Sequence, residues 1–386
     1  MSERQRPHFA YIECVRGHAI LLVILCHATY LFPGLPYPVH RVTVLGWHGV
    51  QLFFLASAVT LMMSWQYEKA RDGSASVGAF FVRRFFRIAP AYYLASVLYF
   101  WLEPPTGGFD PVQAGATYLF VNVWHPVLMG TTPGSWIVVP GDWSIGVEFT
   151  FYAIFPILAC TITSLSRAVY LFLGVLLAGA ALNALAWPSL EATFGTVAAD
   201  NFLYFWFPNQ ISVFALGLCL FHLLERDRGR RSLLAACPNL IMMASVVAVA
   251  SCAFIPTPEW LNLRMPLPPT FLLVSLAMMV FVLALARGSS GLFLNRYVAL
   301  TGRVSFSGYL LHFAVLKAVA EWASPWIDFH VTGWSAIARF ALAMLCIVPI
   351  TVAASWCTYR VIETPMINLG KDLIRRHRRV AVKNLS

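Results

Sequence analysis

Ten times along the chain an apolar run of about twenty residues is closed off by charged or turn-forming residues. A helix of ~20 apolar residues is what spans ~30 Å of hydrocarbon. The runs lie at about 11–32, 43–64, 87–103, 142–163, 168–187, 203–224, 236–255, 267–287, 303–323 and 334–359. Only 11% of the 386 residues are charged, against ~25% in a soluble domain. The expected fold is therefore all-α and polytopic, with ten membrane spans in residues 1–365 and a short basic tail at 366–386. The first run is too long, and too interrupted by charge, for a cleavable signal, so it reads as a retained helix.

Charge placement gives the expected orientation. Of 27 Lys and Arg residues, 22 fall on the N-terminal side of the membrane and only Arg41 and Arg264 on the other. The positive-inside bias then puts both termini in the cytoplasm. The net charge of +10 is thus a topology signal and not a nucleic-acid footprint. The eight cysteines show no metal-like spacing, and most lie in apolar runs, where Cys acts as a small hydrophobe. Trp101, Trp124, Trp136, Trp187, Trp260 and Trp326 suit an interfacial belt or a sugar-stacking surface. The tail, KDLIRRHRRVAVK, suits anionic inner-leaflet lipid.

The first run carries Glu13, Arg16, His18 and His27. Ionisable groups inside a span are costly, so they are functional candidates. Eleven steps of 100° bring His27 to within ~20° of Arg16, ~16 Å further along the axis, with Glu13 on the same stripe and His18 roughly opposite. A second constellation, FVRRFFRIAPAYYLA, puts Arg84 and Arg87 on one side of a helix. Such a pair anchors a span end, or binds phosphate bidentately. The third, GDWSIGVEFTFYAIFP, begins with Asp142 as a possible N-cap and carries Glu148 about two turns further on. Counted from that end, Glu148 reaches the depth of His27. The spacing suits a His27–carboxylate dyad, and equally a structural Glu148 that satisfies a nearby serine, tryptophan or backbone group. The fourth, TGRVSFSGYLLHFAV, carries Tyr309 and His312, read as pore-lining. Lys317 and Glu321 form an expected i,i+4 pair.

In this order the blocks ECVRGHAILLVILCH, WHGVQLFFLASA, RRFFRIAPAYY, DWSIGVEFTFYAIFP, SFSGYLLH and IETP resemble the acyltransferase-3 family, the bacterial membrane O-acyltransferases that modify glycans. The likeness runs from Tyr11 to Pro365. It implies a multi-pass enzyme of the inner membrane that uses acyl-CoA, usually acetyl-CoA, as co-substrate and no metal. The implied acceptor is an extracytoplasmic or lipid-linked glycan or a glycosylated small molecule. It further implies an essential role for His27, a partnering role for Arg16, coenzyme A contacts at Arg84 and Arg87, and an acidic site residue at Glu148. Glu13, Trp143, Ser144, Tyr309 and His312 become supporting or pore-lining residues. Glu13 stands where Asp is usual, Gln51 where an acid is common, and Ala58 where glycine is usual. His27 acts in this scheme as general base, with an acyl-histidine as the competing chemistry. A carrier or flippase for a glycan or acyl group, without bond chemistry, is the alternative from another class.

Overall fold

The first apolar run folds as α1 (Ala10–Thr29) and lies inside the bundle, whereas a later helix, Leu165–Phe194, lies at its edge. Of their most apolar windows, 61% is buried in the first and 17% in the second. The description rests on a computed structural model and covers residues 10–105, 107–132, 136–227, 233–255, 269–288 and 291–383. Among the described residues the chain is helical throughout, with no strand.

The main helices are α1, α2 (Gly49–Asp72), α3 (Val77–Leu102), α4 (Trp143–Thr161), α5 (Leu165–Phe194), α6 (Phe207–Asp227), α7 (Pro238–Cys252), α8 (Pro269–Leu285), α9 (Arg296–Arg303), α10 (Ser305–Ala323), α11 (Gly333–Thr358) and α12 (Thr364–Lys383). Sequence sets their ends. Ser76 accepts a hydrogen bond from the Ala79 amide at the start of α3. Asn295 does the same for Tyr297 and Val298 at the start of α9. Each cap satisfies donors that have no partner within the helix.

Seven helical runs among the described residues are long and apolar enough to cross a membrane: Ala10–Thr29, Tyr37–Asp72, Val77–Leu102, Trp143–Thr161, Leu165–Phe194, Thr196–Asp227 and Gly333–His377. The other three expected spans coincide with α7 and α8, which are short over the described residues, and with α10, which is less apolar. Lys317 and Glu321 dilute α10, and Lys317 turns from its expected partner to the Leu102 carbonyl at 3.0 Å and Glu103 at 3.4 Å. The expected loop at 256–266, with Trp260 and Arg264, lies outside the described residues. Trp101 and Trp326 are largely exposed, while Trp187 donates to Asp200 at 2.9 Å. The basic tail forms most of α12, which packs on α3 closely enough that a Cβ at Gly370 would meet Phe86 at 2.9 Å.

Two departures from the family pattern have structural counterparts. Ala58 of α2 faces Gly217 of α6, where an added Cβ would lie 2.7 Å from that of Ala58. The glycine at 217 leaves room for Ala58, and the two helices approach closely. Gln51 is buried and donates to Gln210 at 3.4 Å, a neutral amide pair where an acid would need a countercharge.

Candidate active site

Arg16 of α1, Ser57 of α2, Arg84 and Arg87 of α3, Ser144, Glu148 and Tyr152 of α4, and Tyr309 of α10 line one cavity of about 80 Å³. That is room for a handful of ordered waters or a small anion. Three guanidinium groups and one carboxylate give the lining an excess of positive charge. Arg16 donates to Thr60 at 3.2 Å. The neighbouring Arg83 turns away to Glu68 at 2.6 Å, which separates it from Arg84 and Arg87. Buried Arg84 Nε has no hydrogen-bond partner among the described residues, and no hydrogen bond or ion pair among them engages Arg87. An unused charged donor in a protein interior is costly, which applies to Arg84 Nε; Arg87 is half-buried and interacts with Glu363.

Glu148 belongs to this cavity and not to His27. Its Oε1 accepts from Ser57 at 2.6 Å and from Tyr152 at 2.5 Å, so of the two readings open in the sequence its contacts match the one with a serine partner. Its depth follows from Asp142. This residue precedes α4 without capping it; it is buried with Val138 and Val139 and accepts from Tyr92 at 3.3 Å. The segment before α4 therefore dips into the protein. Two turns counted from Asp142 end nearer Arg16 than a surface start would allow. Gly141 makes the dip possible. Its φ is +81°, and a Cβ there would lie 2.9 Å from the Tyr309 hydroxyl. Tyr309 instead donates to the Gly141 carbonyl at 2.8 Å and accepts from Ser144 at 2.8 Å.

His27 meets His312. The His27 Nδ1 lies 2.9 Å from the Val23 carbonyl and 3.2 Å from His312 Nε2. Phe313 packs on both imidazoles, with ring centroids 4.4 and 4.1 Å away. His312 is fully buried, and its ring lies 5.6 Å from that of Tyr309. Tyr309 thus stands between the arginine cavity and the histidine pair. Of the remaining candidates, Glu13 pairs with Arg303 at 3.2 Å, and Trp143 packs on Phe205 and Phe54. His18 faces away, bonded to the Phe293 carbonyl at 2.8 Å.

Sequence reading missed Ser57, Thr60, Tyr152 and Glu363. Tyr152 was within reach of a spacing argument, because it lies four residues after Glu148. Glu363 sits in a π-helical turn, Tyr359–Glu363, just ahead of Pro365, which has no N–H to give the preceding turn. Such turns recur at functional sites. Glu363 is buried and accepts both the Ser307 amide, at 3.1 Å, and the Ser307 hydroxyl. It caps the first turn of α10 from a distant part of the chain, which fixes the helix that carries Tyr309 and His312. Glu363→Ala would orphan these donors, and a loss of about 1–3 kcal/mol of stability is expected. A denaturation series in detergent reads it as a lowered midpoint.

A family model described as "Acyltransferase domain", of the acyltransferase-3 family, matches residues 9–360. The "Putative membrane-bound transacylase BcsY" of Komagataeibacter xylinus is 25% identical over 267 residues, which is 65% of this chain and 61% of that protein. No solved structure matches. With the match extending over nearly its whole length, the chain belongs to the acyltransferase-3 family of membrane acyltransferases.

Proposed function

We propose that this acyltransferase moves an acyl group, acetyl in the simplest case, from cytoplasmic acyl-CoA to a hydroxyl of an extracytoplasmic or lipid-linked glycan or glycosylated small molecule. The reading takes both termini as cytoplasmic, ten helices as spanning and the inner membrane as the location. The observation that carries it is the arginine cavity, where Arg84 and Arg87 offer donors that no described residue uses. A phosphate of coenzyme A suits such donors in charge and in geometry. The cavity is too small for a nucleotide, so the base and ribose would stay outside and only a phosphate or the pantetheine arm would enter. Arg16 and Glu148 complete the lining, Glu148 offsetting one of three positive charges while Ser57 and Tyr152 hold it. Past Tyr309 the arm would bring its thioester to His27, the general base on the acceptor hydroxyl.

Membranes supplied with isotope-labelled acetyl-CoA test the reading. The expected result is label covalently bound to a glycan, located by mass spectrometry. A carrier would leave every recovered glycan unlabelled. Arg84→Ala and Arg87→Ala are each expected to raise the KM for acyl-CoA about 10- to 100-fold, from the ~1.5–3 kcal/mol of a hydrogen bond to a charged group. Normal donor binding by the double variant would remove the donor-site assignment.

A further inference from the structure

We infer that His312 is a positioning residue that holds His27 in the Nδ1–H form and so makes His27 Nε2 the basic atom. The inference rests on the proposed role of His27 and adds the group that sets its tautomer. The argument follows the lone pairs. The Nδ1 of His312 lies 2.6 Å from the Tyr309 carbonyl, and a carbonyl only accepts. That nitrogen must then carry the proton, and a neutral His312 is left with a lone pair on Nε2. This lone pair points at His27 Nδ1, 3.2 Å away. The Val23 carbonyl, the second group on that nitrogen at 2.9 Å, is also acceptor only. Two acceptors converge on His27 Nδ1, so the proton resides there. The opposite assignment would set a lone pair against a carbonyl oxygen at both histidines. Among the described residues no hydrogen bond engages His27 Nε2, and the residue is only partly buried.

The reaction then balances through one nitrogen. The acceptor hydroxyl gives its proton to His27 Nε2 as its oxygen bonds to the thioester carbonyl carbon. The carbon–sulfur bond breaks, and the same nitrogen returns the proton to the leaving thiolate. While His27 is cationic, its Nδ1–H still donates to His312 Nε2 and to the Val23 carbonyl. Second residues of this kind orient a catalytic imidazole without touching substrate.

Three variants and one spectrum test it. Glutamine can put its amide oxygen where His312 Nε2 sits and accept from His27, whereas leucine fills the space with no acceptor. His312→Leu is expected to lower kcat about 100-fold with donor KM nearly unchanged, and His312→Gln to recover to within about tenfold of wild type. A merely structural role would not separate the two. Equal impairment of Gln and Leu overturns the inference, as does wild-type turnover in His312→Leu. His27→Ala in the same assay separates the two readings. An active His27→Ala protein removes the proposed base itself, while an inactive one beside a fully active His312→Leu removes only the role of His312. Should the Leu variant fail to fold, ¹⁵N-histidine spectra of the unmutated protein still decide. His27 should show a protonated Nδ1, a bare Nε2 and a nitrogen–nitrogen coupling from Nδ1 across the hydrogen bond to His312 Nε2; the reverse tautomer, or the absence of that coupling, rejects the assignment.

Discussion

His27→Ala is expected to reduce acyl transfer by about 10²- to 10⁴-fold, the contribution of a positioned general base. Donor binding should stay near wild type. The arginine cavity holds Arg16, and eleven residues of helix put ~16 Å between Arg16 and His27. The lost side chain rests on Phe313 and His312 at the edge of a part-exposed site, so the fold should survive. Isotope-labelled acyl-CoA gives both readings in one experiment, binding from label retained by the purified protein and transfer from label in glycan. Wild-type transfer by His27→Ala would sink the assignment. The same label also separates the two chemistries open to His27. With acceptor withheld, an acyl-histidine would leave label covalently on the denatured protein, and a general base would leave none there.

The distance between the arginine cavity and the histidine pair explains which parts of the site were legible in the sequence. Arg16 and His27 share a helix, so their separation followed from helical geometry alone. Arg84 and Arg87 likewise share a turn and line one cavity. What linked separate helices was harder to read. Glu148 was matched in depth to His27 by counting from Asp142 as though that residue lay at the membrane surface. A buried Asp142 and a positive φ at Gly141 move the start of α4 inward, and neither can be read from a hydropathy run. His312 shows the converse. Alone in an apolar helix it carries no sign of a partner, yet α1 and α10 run side by side and bring it to His27.

The fold shows the same division. Over their described residues all ten expected apolar runs coincide with helices, because backbone hydrogen bonding in lipid leaves an apolar segment few alternatives. Length and hydropathy then separate seven of them from three: α7 and α8 are short over the described residues, and Lys317 and Glu321 lower the hydropathy of α10. The contacts of those charges stayed hidden. Lys317 had a sequence neighbour at the right helical spacing and took Glu103 of another segment. An exposed i,i+4 pair contributes only ~0.2–0.5 kcal/mol, too little to hold a flexible lysine against a carbonyl and a carboxylate nearby. The C-terminal stretch IETP was legible as a mark of the family, but not as a cap, since Ser307 lies 56 residues earlier.

Gly302→Ala is expected to cost more stability than any other single-methyl change considered, and Gly174→Ala to cost none. Both glycines are helical, so the intrinsic term favours alanine at each by about 0.5–1 kcal/mol. At Gly174, within α5, an added Cβ meets nothing within 4 Å, and the intrinsic term stands alone. At Gly302, within α9, it would lie 1.7 Å from the Glu13 carbonyl oxygen and 2.8 Å from the Gly17 nitrogen. Those atoms are backbone of a buried helix and have no rotamer with which to yield. The helices must part, and overpacking of this kind costs about 1–3 kcal/mol or more, which exceeds the gain. The contact is reciprocal, since a Cβ on Gly17 would meet the Val298 carbonyl at 2.1 Å. It also sets the rotation of α1, which turns Arg16 into the cavity and His18 towards Phe293. Prising α9 away would loosen that rotation and the Glu13–Arg303 pair with it. Thermal unfolding in detergent should therefore show a lower midpoint for Gly302→Ala and an unchanged or higher one for Gly174→Ala. If the two variants melt together, the close packing of α1 on α9 does not hold the polar stripe in place.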